Sequence, residues 1–514
     1  MKSIFTLFLC CGLILSLFSG CGFDPDNYTP TGDALVMEDG TTTEQKPQQN
    51  PDQELTLTYY PNITMNPLKC NDFTNRALFS LIHQGLFSVD RDYNPVPILC
   101  KQYSRSQDMK SYTFYLENAT FSDGSTMTAD DVVSTYKAAK ESAYYSGRFL
   151  HISDVSVAGD GGVVFTLDTP MENLPILLDI PILKAGELDS DNPQGTGPYH
   201  LDTTSGKGIL RRRVNWWCEG DLAVTAQAIS LIEAENNPQI RDNFEFFDLD
   251  LVYANPCSDH YADYRCDYEL WDSENGGFLY LAVSTDGPVF SNEEVRSKLT
   301  YAIDRETIAE ENFRGFGMPA SLPASPNSPY YSAVQAEKYA YDGGVQFKQA
   351  VENAGLTGSP LIILVNSEDT MRERIARSIA QMMTDAGFVV TVNACSGDLY
   401  RYNLRMRIFD LYVGQTRLSA NMDLSAFFSS NGALSYGALN DVGLYALCTE
   451  ALANIGNYYT LHQSIMDDGR LCPILFTSYA VYATRGLMTD LTPSRDNVFF
   501  YRLDKTMEQA LIES

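Results

Sequence analysis

Phe121-Ser122-Asp123-Gly124-Ser125-Thr126-Met127-Thr128-Ala129-Asp130-Asp131-Val132-Val133 is the stretch that decides how this chain is read. Asp123-Gly124 is a turn signal: glycine tolerates the positive φ of a tight turn, and aspartate bonds its own backbone. Thr128 stands where a helix begins, with Asp131 three residues on, a relative of the capping box. The stretch therefore predicts a turn followed by a helix. Tyr112-Thr113-Phe114-Tyr115-Leu116 before it and Val163-Val164-Phe165-Thr166-Leu167 after it have the β-branched and aromatic content of strands.

Working outward, Leu55-Thr56-Leu57-Thr58-Tyr59-Tyr60 alternates as a strand does, and Ala77, Leu78, Leu81 and Ile82 recur near helical spacing. From residue 278 the pattern changes. Phe278-Leu279-Tyr280-Leu281-Ala282-Val283 is a mostly apolar strand, and Ser291-Asn292-Glu293-Glu294 opens a helix through Val295, Leu299 and Ile303. Residues 361–365, 370–386 and 388–392 read as strand, helix and strand. Ile375, Ile379, Met382 and Met383 form the helix's apolar face, and Gly387 ends it. The class is α/β with at least two sub-domains.

The N-terminus has the layout of an export signal: Lys2, an apolar run over 4–18, then Ser19-Gly20-Cys21. The run falls short of the roughly 20 residues that span a bilayer. The ending resembles a bacterial lipoprotein box, which implies a signal peptide over 1–20 and lipidation of Cys21. Residues 21–52 are polar and turn-rich and read as a flexible linker. The body is then extracytoplasmic, tethered by lipid to the bacterial cell membrane.

The 514 residues carry a net charge of −30, which disfavours nucleic acid as a partner. Eight cysteines follow Cys21, an even number that permits disulfides; Cys257 and Cys266 are close enough to close a small loop. The other reading is that most are buried thiols. With five histidines and no cysteine–histidine cluster at ligand spacing, no zinc site is expected, and neither is any other metal or cofactor. No G-x-S-x-G, H-E-x-x-H or G-x-x-x-x-G-K occurs. His83, His151, His200, His260 and His462 are scattered. Asp248 and Asp250 read as the solvated face of a short strand or turn. No catalytic residue is assigned.

Several segments in order resemble the extracellular solute-binding proteins, family 5, of peptide- and nickel-type ABC importers. They are Gly85-Leu86-Phe87, Asn94-Pro95-Val96-Pro97, the 112–116 strand, the 121–133 stretch, Gly195-Thr196-Gly197-Pro198-Tyr199, Val295-Arg296-Ser297-Lys298-Leu299 with Tyr301-Ala302-Ile303-Asp304-Arg305, and Ala354-Gly355-Leu356. The resemblance implies a two-lobed, periplasmic-binding-protein-like α/β fold of the large peptide-binding class, with mixed sheets and a hinge. By analogy, lobe one covers 53–280 with the returning tail 480–514, and lobe two covers 281–479. Crossover strands are expected at 279–284 and 473–478.

The same resemblance nominates ligand contacts. In the family a Trp and an amine-binding Asp follow a lobe-two strand; here the Asp position is occupied by Ala420, and the Trp is replaced near Arg417. Arg417 offers a planar fork to a carboxylate or phosphate. Asn421 and Asp423 follow it. Tyr60 and Asn62, Tyr145 and Arg148, Trp216 in the Asn215-Trp216-Trp217 cluster, and Phe476 with Tyr479 are the other candidates. The implied function is capture of a solute, first of all a peptide, and delivery to an ABC permease by a monomeric protein. A surface hydrolase, or a nutrient sensor without a transport partner, are the rival readings.

Overall fold

Two long strands, Tyr268–Val283 and Leu471–Thr484, pair antiparallel along their length and carry the fold. The computed structural model describes residues 55–218, 222, 224–256, 264–488, 491–495, 497–503 and 506–512. The signal, Cys21, the linker, Cys257 and His260 lie outside the described residues. The crossovers are longer than expected. Residues 268–275 are too polar to read as a strand, yet backbone pairing is indifferent to side-chain polarity. Ser273 and Glu274 are buried with bonds to the Ser494 carbonyl and to Ser325 Oγ.

The sheet runs in the order Leu251–Ala254, Leu471–Thr484, Tyr268–Val283, Leu411–Arg417, Pro360–Asn366, Val389–Cys395. The last three strands are parallel neighbours, crossed over by the helices Thr370–Asp385 and Gly397–Met406. In a second sheet, Leu55–Tyr59 pairs parallel with Ala228–Glu233, extended by Ile209–Arg212 and Tyr199–Asp202. A separate antiparallel sheet joins Cys100–Arg105, Ser111–Leu116, Val163–Leu167 and Ile152–Val157. The fold is thus a two-lobed α/β structure whose lobes share the crossover strands.

Strand alternation assigns the core. Leu279, Leu281 and Val283 face one buried cluster with Leu361, Ile363, Val365, Ile375 and Ile379, the interior of lobe two. Phe278, Tyr280 and Ala282 face the opposite cluster, which continues through Phe114, Tyr136, Phe165, Phe427 and Leu461. The apolar contact therefore runs through residue 280 rather than dividing there.

Local signals behave as their chemistry demands. Thr128 and Asp131 close a full capping box on the helix Ala129–Ala139. The helix Thr370–Asp385 stops just before Gly387, at φ +107°. The single helix expected around residue 78 is instead two short ones, Phe73–Arg76 and Phe79–Ile82. The Asn75 side chain ties the first to the strand by accepting from Tyr60 N and donating to the Tyr60 and Ile63 carbonyls.

Several family-like motifs are structural. In Gly195-Thr196-Gly197 a Cβ at either glycine would come within 2.6 Å of the Ile82 carbonyl oxygen. Arg305 is buried and donates to the carbonyls of Ala320, Pro473, Thr300 and Ile303. Asp250 accepts from Thr56 N and Oγ1, a strand-to-strand tie. The seven described cysteines after Cys21 are not in disulfides, and five are buried. Among the described residues no helix is long and apolar enough to cross a membrane, and no group of metal-ligating side chains is assembled.

Candidate solute-binding cleft

A cavity of about 330 Å3 lies beside the crossover strands. Phe73, Arg76, Tyr144 and Tyr253 line it from the chain before the crossover strands, Asn275, Gly277, Thr477 and Tyr479 from the crossovers, and Arg372, Thr416 and Arg417 from the chain between them. Phe73, Tyr253 and Tyr479 form one aromatic wall. Their ring centroids are 5.9 Å (Phe73–Tyr253), 5.3 Å (Phe73–Tyr479) and 5.2 Å (Tyr253–Tyr479) apart.

The opposing wall is cationic. Arg417 closes the strand Leu411–Arg417 opposite Gly277, and its Nε donates to the Asn275 carbonyl at 2.8 Å. Arg76 is the last residue of its short helix. It donates to the Pro67 and Cys70 carbonyls and, at 2.8 Å, to the Tyr145 hydroxyl. Both guanidinium groups lie over the Tyr144 ring, at 3.2 Å (Arg76) and 4.4 Å (Arg417) to its centroid. Arg372, in the first turn of its helix, pairs with Asp369 at 2.7 Å. Arg495 donates to the Leu418 carbonyl. The lining holds four arginines and no aspartate or glutamate.

A bulge shapes the floor. The register between the crossovers shifts between Glu274 and Gly277. Gly276 has φ +69°, and a Cβ on Gly277 would stand 2.3 Å from Thr477 Oγ1. That hydroxyl donates to Asn275 Oδ1 at 2.7 Å, so Asn275 is held between Thr477 and Arg417. Bulges re-aim side chains where a strand bends.

Of the residues singled out from sequence, Arg417 and Tyr479 line this cavity. Tyr145 lines a smaller one behind Arg76, with His83, whose pKa burial lowers to about 3. The others stand elsewhere. Tyr60 donates to Asn237 Oδ1 at 2.8 Å, and Asn62 lies in an exposed turn. Arg148 is buried against Asp179. Trp216 donates to the Thr196 carbonyl at 2.8 Å. Phe476 turns into the core and stacks on Phe278. Asn421 is buried, and its carbonyl accepts from the Tyr458 hydroxyl. These side chains answer structural demands that a one-dimensional pattern does not register. Missed were Arg76, Arg372, Arg495, Tyr144 and Phe73. Only Tyr144 had a signal, as the neighbour of Tyr145.

Asp423 belongs to a second inter-lobe cluster. His151, in lobe one, places Nδ1 3.3 Å from Asp168 Oδ1 and Nε2 3.3 Å from both Asp423 Oδ2 and Ser425 Oγ. Burial works to lower the His151 pKa, but the hydrogen bond and charge of Asp423, with those of Asp168, outweigh it and raise the value. Asp423 is held below the ordinary carboxylate range: His151 and Ser425 outweigh its burial. The Ser–His–Asp order is superficially that of a nucleophile with its base. However, Ser425 is wholly buried, and both ring nitrogens of His151 already face carboxylates, Nδ1 that of Asp168 and Nε2 that of Asp423.

The model of bacterial extracellular solute-binding proteins, family 5, matches residues 94–435. The chain belongs to that family. The glutathione-binding protein GsiB of Escherichia coli O6:K15:H31 is 24% identical over 350 residues, covering 64% of this chain and 67% of GsiB. Among solved structures, the ABC-transporter substrate-binding protein CtaP of Listeria monocytogenes superposes with TM-score 0.71 at 18% identity, covering 89% of this chain and all of CtaP. NikA of Brucella suis, solved with Fe(III)-EDTA, gives TM-score 0.69 at 17% identity, covering 87% and 98%. Family-5 proteins bind peptides or other solutes outside the cytoplasmic membrane and deliver them to ABC importers, and that is the function of this chain. The relatives are binding proteins rather than enzymes. In this family-5 protein, Phe73, Arg76, Thr477, Tyr479 and Arg495 are among the eight lining residues that fall outside the matched span, so half of the cleft's lining comes from the chain's flanks.

Proposed function

We propose that this family-5 protein binds its solute in the cleft between the aromatic wall and Arg417, and closes lobes 53–280 (with 480–514) and 281–479 over it. The observation that carries the reading is a single cavity with side chains from both lobes and both crossovers. A solute touching Arg76 and Arg417 together favours the closed arrangement by its differential contacts, which is all that closure needs. Its size places it at the lower end of small-molecule sites, about 300–1,000 Å3, so the solute is compact, of short-peptide size or below.

The protein works as a monomer held to the membrane by lipid on Cys21, with 21–52 as its tether, and hands the solute to a permease. Small-angle scattering of the soluble body, with and without a casein peptide digest and a small-metabolite extract, tests the clamp. Compaction with one of them is the expected result; no compaction with either overturns the reading. Metabolic labelling with a fatty acid, lost in Cys21→Ala, tests the anchor.

A further inference from the structure

We infer that Asn275, Gln415 and Thr477 set the specificity of the cleft, and that the group they read is a neutral amide of the solute, a peptide unit or a carboxamide. The inference rests on the cleft reading above. All three side chains line the cavity at the bulge. Gly277 stands on the middle strand, directly opposite Thr477 on one neighbour and Arg417 on the other. Gln415 stands opposite Leu279, two residues on and on the same face. A Cβ on Gly277 would lie 2.3 Å from Thr477 Oγ1, 2.8 Å from Asn275 Oδ1 and 3.5 Å from Gln415 Nε2. The glycine thus lets three uncharged polar groups gather over one backbone position.

Hydrogen bonds fix what this floor offers. Asn275 Oδ1 accepts from Gly277 N at 2.8 Å and from Thr477 Oγ1 at 2.7 Å. The backbone N–H settles how the amide is turned, since only its oxygen can accept, and the Nδ2 hydrogens are left as donors. Thr477 has its one proton committed to that bond and keeps lone pairs, so it is an acceptor. Among the described residues the Gln415 amide engages no partner, so it offers both a donor and an acceptor. Donors and acceptors side by side complement a group that has both an N–H and a C=O. A carboxylate would set its lone pairs against those of Thr477. An ammonium would leave the amide donors without acceptors. Either leaves a polar group unpaired, which a site built of hydrogen bonds rejects. The aromatic wall of Phe73, Tyr253 and Tyr479 accepts the apolar remainder of the solute.

The test is NMR titration of the full soluble body with 3-phenylpropanamide and with 3-phenylpropanoate, each to about 10 mM. The two probes share a ring and a chain and differ only in amide against carboxylate. The wild type, Gln415→Leu and Thr477→Val are compared, each substitution close in shape to the residue it replaces. The amide is expected to bind, and each substitution to weaken it about 2- to 12-fold, the loss of one neutral hydrogen bond. The response to the carboxylate is expected to be the same, within about twofold, in all three proteins. A general loosening of the cleft would not produce that contrast. Gln415→Leu breaks no hydrogen bond among the described residues, so it keeps the test valid if Thr477→Val fails to fold.

Silence of the amide, an amide affinity untouched by the folded variants, or equal losses for both probes overturns the inference. If the peptide digest or the metabolite extract still compacts the protein, the amide reading falls alone and the cleft reading stands. If neither compacts it, both are overturned.

Discussion

The guanidinium carbon of Arg417 stands 4.4 Å from the centroid of the Tyr144 ring, so a lobe-two strand end meets a lobe-one loop through a cation–π contact. Arg76 shares the ring at 3.2 Å. Such contacts are worth about 0.5–2 kcal/mol. Tyr144→Ala is therefore expected to weaken solute binding by about 2- to 30-fold. Tyr144→Phe, which keeps the π face, should stay within about twofold of wild type. Titration of the two variants against one solute checks this.

The His151–Asp423 pair ties the lobes in a pH-dependent way. The His151 pKa is raised above the ordinary 6.5, so its contribution is full below that value and fades as pH rises through the raised one. The Asp423 pKa is lowered below 3.8, so its contribution is present above that value and is lost as pH falls through the lowered one. Asp168, Tyr445, Cys448 and Tyr458 are the other titratable groups facing the pair. Burial raises the pKa of the two tyrosines and the thiol closest to Asp423, which stay neutral across this window. His151→Gln leaves Asp423 buried without its cation and is expected to cost about 3 kcal/mol near pH 5. The gap should narrow as pH rises through the raised His151 value. Urea denaturation across pH measures it; a constant gap would remove the latch.

Gly277 sits where a side chain has no room. Gly277→Ala places a methyl 2.3 Å from Thr477 Oγ1 and 2.8 Å from Asn275 Oδ1. A loss of about 1–3 kcal/mol is expected from this overpacking, and Thr477→Ala in the same chain should return part of it. The double-mutant cycle in chemical denaturation reads the coupling directly.

Arg305 is buried and satisfies four carbonyls and the Thr300 hydroxyl with one guanidinium. A lysine has three donors on a flexible stem and cannot span that set. Arg305→Lys is expected to cost about 3 kcal/mol or more, since each orphaned buried acceptor costs about 1–3 kcal/mol. The readout is the denaturation midpoint. Solute affinity of the remaining folded protein should be unchanged, because Arg305 is not among the cleft's lining residues.

Local chemistry made much of the fold legible. Thr128 with Asp131 specified a helix start, Gly387 a helix end and 361–365 a buried strand, because capping, positive φ and apolar runs are settled within a few residues. The crossover at 268–275 was not legible. Its pairing partners lie some two hundred residues away, and its polar side chains hide the strand.

By itself the sequence determined the α/β class and the family, because these rest on short-range patterns and motifs in register. Only the tertiary structure decided the cleft. Arg76, Tyr144, Arg372 and Arg495 meet Arg417 through the crossing of strands distant in sequence. It also set Asp423 beside His151. Strand alternation sets which face a residue occupies; what stands across that face is set by long-range pairing, which no local pattern encodes.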